Sequence, residues 1–302
     1  MSNSYYSNGK LLITGEYGVL DGALSLAVPT KYGQALTVQE NNTNSITWQS
    51  IDHQGAIWFE GDFNLKNNKS INTTDSETAE TLLRILCEAK KLNSEFLINS
   101  SGYKVTTVLD FPRNWGLGSS STLINNIAQW ACVDPFKLLW NSFSGSGYDI
   151  ACAMHNTPIL YQLKGKKPIV TPIAFNPSFK EHIYFVHLNK KQNSREGISA
   201  YRNSKFDKDQ FISAQTILTN KFSTCDSLEE FQKLIIEHET MVASIINETP
   251  VKQEYFIDYT GAIKSLGAWG GDFIMAVGSK TTPTYFKNKG YATIIPYQEM
   301  VL

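Results

Sequence analysis

Residues 112–122 read PRNWGLGSSST and run directly into an apolar-periodic stretch, LINNIAQWA. A Gly-x-Gly followed by three serines at the head of a helix combines two kinds of chemistry. Gly116 and Gly118 lack Cβ atoms, so the backbone there can take strained turns and approach a ligand closely. The helix that follows leaves its first amides unpaired at the positive end of its dipole. An oxygen-rich anion such as phosphate is the natural occupant of that position. Ser119, Ser120 and Ser121 add hydroxyls able to bond phosphate or coordinate Mg²⁺. Taken alone, the stretch reads equally well as a glycine turn with a serine cap.

The elements around this loop follow from periodicity. Residues 10–14 are an apolar run ending in Gly15-Glu16, a strand that delivers polar residues to its end. Residues 35–39, 45–51 and 56–60 have strand character, with a turn at 52–55 closing a hairpin between the latter two. Trp48 and Trp58 on that hairpin read as packing residues. The polar, asparagine-rich residues 61–75 read as a surface loop. Asp75 or Ser76 caps a helix over 77–91, with an apolar stripe of Ala79, Leu82, Leu83 and Leu86. Strands are expected at 96–99 and 103–110, leading into the glycine loop. The helix after the loop buries Leu123, Ile124, Ile127, Ala128 and Ala131, and Asp134-Pro135 opens a short helix. Beyond it, 158–163 and 169–174 read as strands around a solvated basic tip, Lys164–Lys167. Residues 183–188 form a buried strand and 193–202 a short helix. Two amphipathic helices follow, one burying Phe211, Ala214, Leu218 and Phe222, the other Phe231, Leu234, Ile235, Val242 and Ile245. A strand at 273–277, a short helix near 285–288 and a strand at 292–296 end the chain. Helices beside largely antiparallel strands make the class α+β.

Bulk properties exclude several functions. A chain of 302 residues has room for a real core in one large or two modest domains. The formal net charge of −1 gives no electrostatic case for nucleic acid or an anionic membrane as partner. The N-terminal MSNSYYSNGK lacks the apolar core of a signal peptide, and no run reaches the length of a membrane span. Cys87, Cys132, Cys152 and Cys225 are scattered, without metal-type or disulfide-framework spacing. These features predict a protein of the reducing cytoplasm, without a structural metal. A homodimer is left open.

Three further stretches stand in register with the central loop: residues 9–29, GKLLITGEYGVLDGALSLAVP; 145–153, GSGYDIACA; and 263–278, IKSLGAWGGDFIMAVG. Together the four resemble the signature motifs of the GHMP kinases, the family of galactokinase, homoserine kinase, mevalonate kinase and phosphomevalonate kinase. The order and spacing agree over nearly the whole chain, and the GSGYDIA segment looks most like phosphomevalonate kinase. The resemblance implies a two-domain fold. An N-terminal α/β domain over 1–170 would be joined to a ferredoxin-like domain over 171–302, with the active site in the cleft between. It implies ATP and Mg²⁺ as cofactors and a small-molecule acceptor as partner. Gly116, Leu117, Gly118, Ser119, Ser120 and Ser121 match the ATP cradle, with Ser120 at the position that meets Mg²⁺. Asp149 matches the catalytic aspartate, and Lys10 the lysine that would stabilise it as the anion. Without the resemblance, Asp149 is an ordinary turn aspartate. Glu16, Tyr17, Ser146, Gly147, Gly267, Ala268 and Gly270 match the acceptor side, where Gly271 would also let the backbone approach.

Two residues depart from the pattern. Trp269 stands where the family has a small residue, so its ring is expected to narrow the acceptor pocket. Leu138 stands where mevalonate kinases carry a metal-binding glutamate, so either Mg²⁺ would rest on Ser120, phosphates and water, or activity would be reduced. Asp272 is acidic, as in phosphomevalonate-kinase-like sequences, with no role assigned by the resemblance. The implied reaction is phosphoryl transfer from ATP to a mevalonate- or phosphomevalonate-like acceptor. A decarboxylase of diphosphomevalonate, a sugar kinase and a non-catalytic nucleotide-binding homologue are the alternatives. The GLGSSS loop argues against the first, and retention of both Lys10 and Asp149 against the last.

Overall fold

A computed structural model describes residues 2–64, 69–98, 102–190 and 194–302. The chain divides into two units and enters each more than once. The first holds the residues up to Gly9, Tyr32–Arg113 and Leu117–Met154; the second holds Lys10–Lys31, Asn114–Gly116 and His155–Leu302. The break expected near residue 170 falls within a strand of the second unit.

The first unit is a sheet with helices packed on it. Its strands are β1 (Ser2–Thr14), β2 (Ser25–Asn41), β3 (Ile46–Ile51), β4 (Ile57–Asn64), β5 (Lys69–Thr73) and β6 (Gly102–Leu109). β1 and β2 also carry residues of the second unit. The order is β5-β4-β3-β6-β2, with β1 also on β2; the β3–β6 pairing is parallel, the others in that order antiparallel. In β3, Ile46, Trp48 and Ser50 alternate inward, as a half-buried strand requires. Against that face lie α1 (Ser76–Leu92), α2 (Ser119–Ala131), α3 (Pro135–Ser142) and α4 (Tyr148–Met154). Leu82 and Leu86 of α1, Ile124 and Ile127 of α2, Leu138 of α3 and Ile150 of α4 join Leu36, Trp48, Phe59 and Val105 in one core. Each such buried side chain contributes about 1.5–3 kcal/mol. Asp75 caps α1 by accepting from Thr78 N at 3.0 Å, and Asp134 caps α3 with Pro135 at its first position.

The residues expected to form a loop at 61–75 are largely strand. β4 continues through Asn64, and β5 occupies Lys69–Thr73; residues 65–68 lie outside the described residues. Pairing with β4 satisfies a backbone whose exposed side chains look like a loop in sequence. The strand expected at 96–99 is a turn over its described residues, with Asn99 outside them; the Phe96 ring packs edge-on to Trp130 at 4.8 Å.

The second unit begins with β7 (Ile159–Lys164) and β8 (Lys167–Pro172), a hairpin paired through β7 with Ser25–Ala27 of β2. Its basic tip turns at Gly165, as expected. β9 (Ile183–His187), α5 (Ser194–Asn203), α6 (Lys208–Thr224), α7 (Leu228–Ile246) and α8 (Val251–Tyr255) follow. Then come β10 (Ala262–Ser265), β11 (Phe273–Val277), α9 (Thr282–Asn288), β12 (Ile294–Pro296) and α10 (Tyr297–Met300). The four strands form an antiparallel sheet in the order β10-β11-β9-β12, the ferredoxin-like arrangement. Neither α8 nor β10 was evident from periodicity.

A ladder of buried amides and hydroxyls seats α2 in the first unit. Asn125 Nδ2 donates to Ser7 Oγ at 2.8 Å, Ser7 Oγ to Asn126 Oδ1 at 2.7 Å, and Asn126 Nδ2 to Gln34 O at 2.8 Å. Thr122 Oγ1 donates to Gln34 Oε1 at 2.9 Å, and Asn125 reaches Ala153 O of α4 at 3.3 Å. These bonds fix the head of α2 on β1 and β2 and tie it to α4. Replacing Asn126 by Ala leaves two buried partners unpaired, an expected loss of about 2–4 kcal/mol. Urea unfolding checks this, and an unchanged midpoint would show that the ladder is dispensable.

Candidate active site

The glycine–serine stretch caps α2 as the sequence suggests. Gly118 is the N-cap at φ 90°, a left-handed conformation that favours glycine. Ser119 is half-buried, and Ser120 is exposed with no side-chain hydrogen bond among the described residues. Ser121 is turned inward, its hydroxyl donating to Gly118 O at 2.8 Å. Of the three serines, Ser119 and Ser120 are thus placed to meet a ligand. The Leu117 side chain is fully buried, so only its backbone is available to an anion.

Asp149 lies in the first turn of α4 rather than in a free turn, and its Oδ1 accepts from Ile150 N at 3.1 Å. Gly147, at φ 89°, ends the approach to that helix, and Ser146 is buried beside it. Because α4 packs on α2, the first unit brings the serine loop and the candidate base onto neighbouring helices. Leu138 is fully buried in the core, so no acid replaces the missing glutamate at that position.

Gly116 belongs to the second unit, as do Lys10, in the first motif, and residues 263–278, the third motif of the resemblance. Lys10 Nζ donates to Gly116 O at 2.7 Å. Gly116 has φ 66°, and a Cβ there would run into the Asp272 carboxylate, so glycine is favoured on both counts. Asp272 is held in turn: its N–H donates to Lys190 O at 2.7 Å, and its carbonyl accepts from Leu188 N at 2.8 Å. Trp115 packs edge-on to Phe273 at 5.4 Å. The close approach at Gly116 is therefore made by a carboxylate of the third motif.

Tyr17 caps a 3-10 turn at φ 63°, stacks on Tyr201 at 5.7 Å and donates its hydroxyl to Ala268 O at 3.2 Å. Burial raises its pKa, with the Glu16 charge adding to the effect. Gly267 and Gly270 have φ 62° and 73°, so the third motif is a loop built on left-handed residues. Trp269 corrects the expectation of a ring in the acceptor pocket. It is 4% exposed, at φ 58°, and packs among Tyr17, Tyr201, Phe211, Val242 and Ile246. Its large apolar surface is removed from water there, which favours the inward rotamer.

Glu16, expected on the acceptor side, is 1% exposed and engaged within the second unit. One oxygen pairs with Lys264 Nζ, and the other lies 3.1 Å from His238 Nε2. Lys264 and His238 are fully buried, and Glu239 is 3% exposed. Lys264 also donates to Ser265 O at 3.0 Å and stands 4.0 Å from Glu239 Oε1, while Ser265 Oγ donates to Glu239 Oε2 at 2.9 Å. Burial pushes the Glu16 carboxyl up, but the Lys264 charge, with the contacts to Lys264 and His238, outweighs it and holds the group below its ordinary value. Burial lowers the His238 pKa, reinforced by Lys264, so the ring is neutral. His238 Nε2 also accepts from Gly15 N at 3.4 Å. Burial pushes Glu239 up to about 8, with Lys264 opposing.

Sequence reasoning missed Lys264, His238 and Glu239. A signal existed: the apolar stripe of α7 through Phe231, Ile235 and Val242 places residue 238 on the same buried face. A charged residue on such a stripe needs a partner.

No protein-family model matches the sequence, and no curated protein does. Among solved structures, the mevalonate kinase of Methanococcus jannaschii matches with a TM-score of 0.73 at 14% identity, over 98% of this chain and 97% of that one. The Streptococcus pneumoniae phosphomevalonate kinase in complex with phosphomevalonate and AMPPNP gives 0.69 at 15%, over 97% and 99%. A mevalonate diphosphate decarboxylase from Legionella pneumophila gives 0.59 at 14%, over 98% and 100%. This chain has the GHMP kinase fold.

Removing Lys264 strands a buried carboxylate. Lys264→Met is expected to cost about 3–5 kcal/mol, and the double variant Glu16→Gln/Lys264→Met to recover much of that. Chemical denaturation of the two variants tests the pairing, which fails if the double variant is as unstable as the single.

Proposed function

We propose that the protein is an ATP-dependent small-molecule kinase, with a mevalonate- or phosphomevalonate-like acceptor. The observation that carries this reading is the head of α2, where a left-handed Gly118 presents Ser119 and Ser120 beside the unpaired amides of a helix N-terminus. The GHMP kinase fold supports it, with likeness to a phosphomevalonate kinase crystallised with an ATP analogue. In this reading residues 1–170 are the nucleotide-binding half and 171–302 its ferredoxin-like partner.

Phosphoryl transfer asks for position and charge compensation more than for covalent chemistry. The α2 amides and the Ser119 and Ser120 hydroxyls would hold the ATP phosphates. Mg²⁺ would offset phosphate charge, held by the Ser120 hydroxyl and by the nucleotide it arrives with. The exposed, unengaged hydroxyl fits that role, and no cluster of three acidic, His or Cys side chains competes for the ion among the described residues. Lys10, anchored on Gly116 O, supplies positive charge for the transferring group. Asp149 takes the proton of an acceptor hydroxyl. For a phosphate acceptor, already ionised at neutral pH, a base has less to do. No helix among the described residues is long and apolar enough to cross a membrane.

A decarboxylase has the same fold, so the reaction class is settled at the bench. The protein is assayed with ATP and Mg²⁺ against mevalonate, phosphomevalonate, diphosphomevalonate and galactose, following ADP and CO₂. ADP release without CO₂ is expected with one of the first two. CO₂ release from diphosphomevalonate would replace the kinase with a decarboxylase. With a hydroxyl acceptor, Asp149→Asn is expected to lower kcat by roughly 10²–10⁴-fold with little change in ATP affinity. A normal kcat with a much larger acceptor KM would leave Asp149 a binding group instead.

A further inference from the structure

The second unit buries two carboxylates, Glu16 and Glu239, around a single lysine. Lys264 Nζ is paired with Glu16 and lies 4.0 Å from Glu239 Oε1, and the histidine between them is neutral. Two ionised carboxylates would leave a net negative charge in a site closed to water, which costs several kcal/mol. The charge balances if Glu239 is neutral and Glu16 is the anion. The asymmetry of the contacts agrees. Lys264 donates directly to Glu16 Oε1, whereas Glu239 Oε1 stands 4.0 Å from it and Glu239 Oε2 accepts from the Ser265 hydroxyl; Glu16 Oε2 and Glu239 Oε1 each lack a hydrogen-bond partner among the described residues.

What this pair joins gives it a consequence at the site. Glu16 lies in the turn just after β1 and is followed by Tyr17, whose hydroxyl reaches Ala268. Lys264 lies in β10, which runs into the glycine-rich third motif. The Glu16–Lys264 contact thus cross-links the first and third motifs. We infer that Glu239 is a positioning residue: by staying neutral it leaves Lys264 to Glu16, and through that pair it fixes the spacing of the two motifs.

The groups around Glu239 set the pH behaviour. β10 contributes Lys264 and Ser265, the turn after β1 contributes Glu16, and His238 stands beside it on α7. Of the helices packed on α7, α6 turns the uncharged Gln215 and Thr219 toward β1 and the residues after it, and α5 contributes the Tyr201 ring. Lys264 is the one cation these contacts offer. Loss of the Glu239 proton to solvent breaks its O–H bond and creates a second anion competing for Lys264. The contact with Glu16 then loosens, and the third motif with it. In the folded protein Glu239 keeps its proton to about pH 8, whereas the ordinary carboxyl value is 4.5. Its contribution to stability is therefore full below the ordinary value and falls as pH rises from there to about 8.

The test uses the whole protein and needs no substrate. Amide hydrogen exchange over residues 262–273, corrected for intrinsic rates, is followed from pH 6.5 to 9.5 in the wild type and in Glu239→Gln. Wild-type protection is expected to fall roughly tenfold across the titration, and to stay flat in the variant. Infrared difference spectra supply the second readout. A protonated-carboxyl C=O stretch should be present in the wild type at pH 7, disappear through about pH 8, and be absent from Glu239→Gln. Should Glu239→Gln fold poorly, Glu239→Met removes the titration with a side chain of similar length. Absence of the wild-type band at pH 7, or the same loss of protection in the variants, overturns the inference. The role at a substrate site rests on the kinase reading. With an acceptor in hand, its KM should rise above pH 8 in the wild type alone, with kcat changing less. Failure to release ADP with any acceptor would end the kinase reading and leave the exchange result standing.

Discussion

A carboxylate shut away from water must find a cation, and in the second unit the choice is narrow. Glu16 has Lys264, and Lys264 comes from β10, nearly two hundred and fifty residues later in the chain. The demand is absolute in a way that apolar packing is not, because a misplaced methyl group costs far less than an unpaired buried charge. It obliges the end of β1 to meet the start of the third motif. Gln215 donating to Glu16 O, and Thr219 bonded to Thr14, extend the same constraint to α6. The glycine-rich segments, weakly determined by their own side chains, thereby inherit their position from a few charged and polar neighbours.

The first unit solves the same problem without charge. The head of α2 has few apolar side chains to anchor it, and the Ser7, Asn125, Asn126, Gln34 and Thr122 ladder takes their place. Fully satisfied amide networks define one geometry, whereas apolar contacts tolerate sliding. The anion cradle proposed for the head of α2 would have to hold its amides at fixed distances, so directional bonds are the suitable support. The exposed Ser120 hydroxyl is left outside this ladder and remains available to a ligand.

Much of this was legible in the sequence where periodicity and local chemistry agree. The cap at Asp75, the helix after Gly118 and the buried stripes of α6 and α7 follow from spacing alone. β5 was not legible, because its side chains are exposed and its order comes from main-chain pairing with β4. Trp269 was misjudged because a bulky residue in a glycine-rich loop suggests a lining side chain. The tertiary fold offers its ring a better place among aromatic and aliphatic neighbours. Glu16 was placed on the acceptor side by its neighbours in sequence, and its partners come from two distant elements. Asp149 was expected in a turn; Gly147 ends that turn two residues before it, and the helix starts at Tyr148.

The way the chain threads its two units bears on how the protein could be divided. The path changes unit at Gly9/Lys10, Lys31/Tyr32, Arg113/Asn114, Gly116/Leu117 and Met154/His155. No single cut therefore separates one unit from the other. A fragment ending at Met154 would carry residues 10–31 and 114–116 without the rest of the unit they belong to, and the remainder would lack the strand that β7 pairs with. Glu16 would be left in the first fragment with no lysine, and Lys264 in the second with no carboxylate to take its charge but Glu239. A chain wired in this way is built to fold as one cooperative object, and it resists the exchange of halves by which tandem-domain proteins diversify.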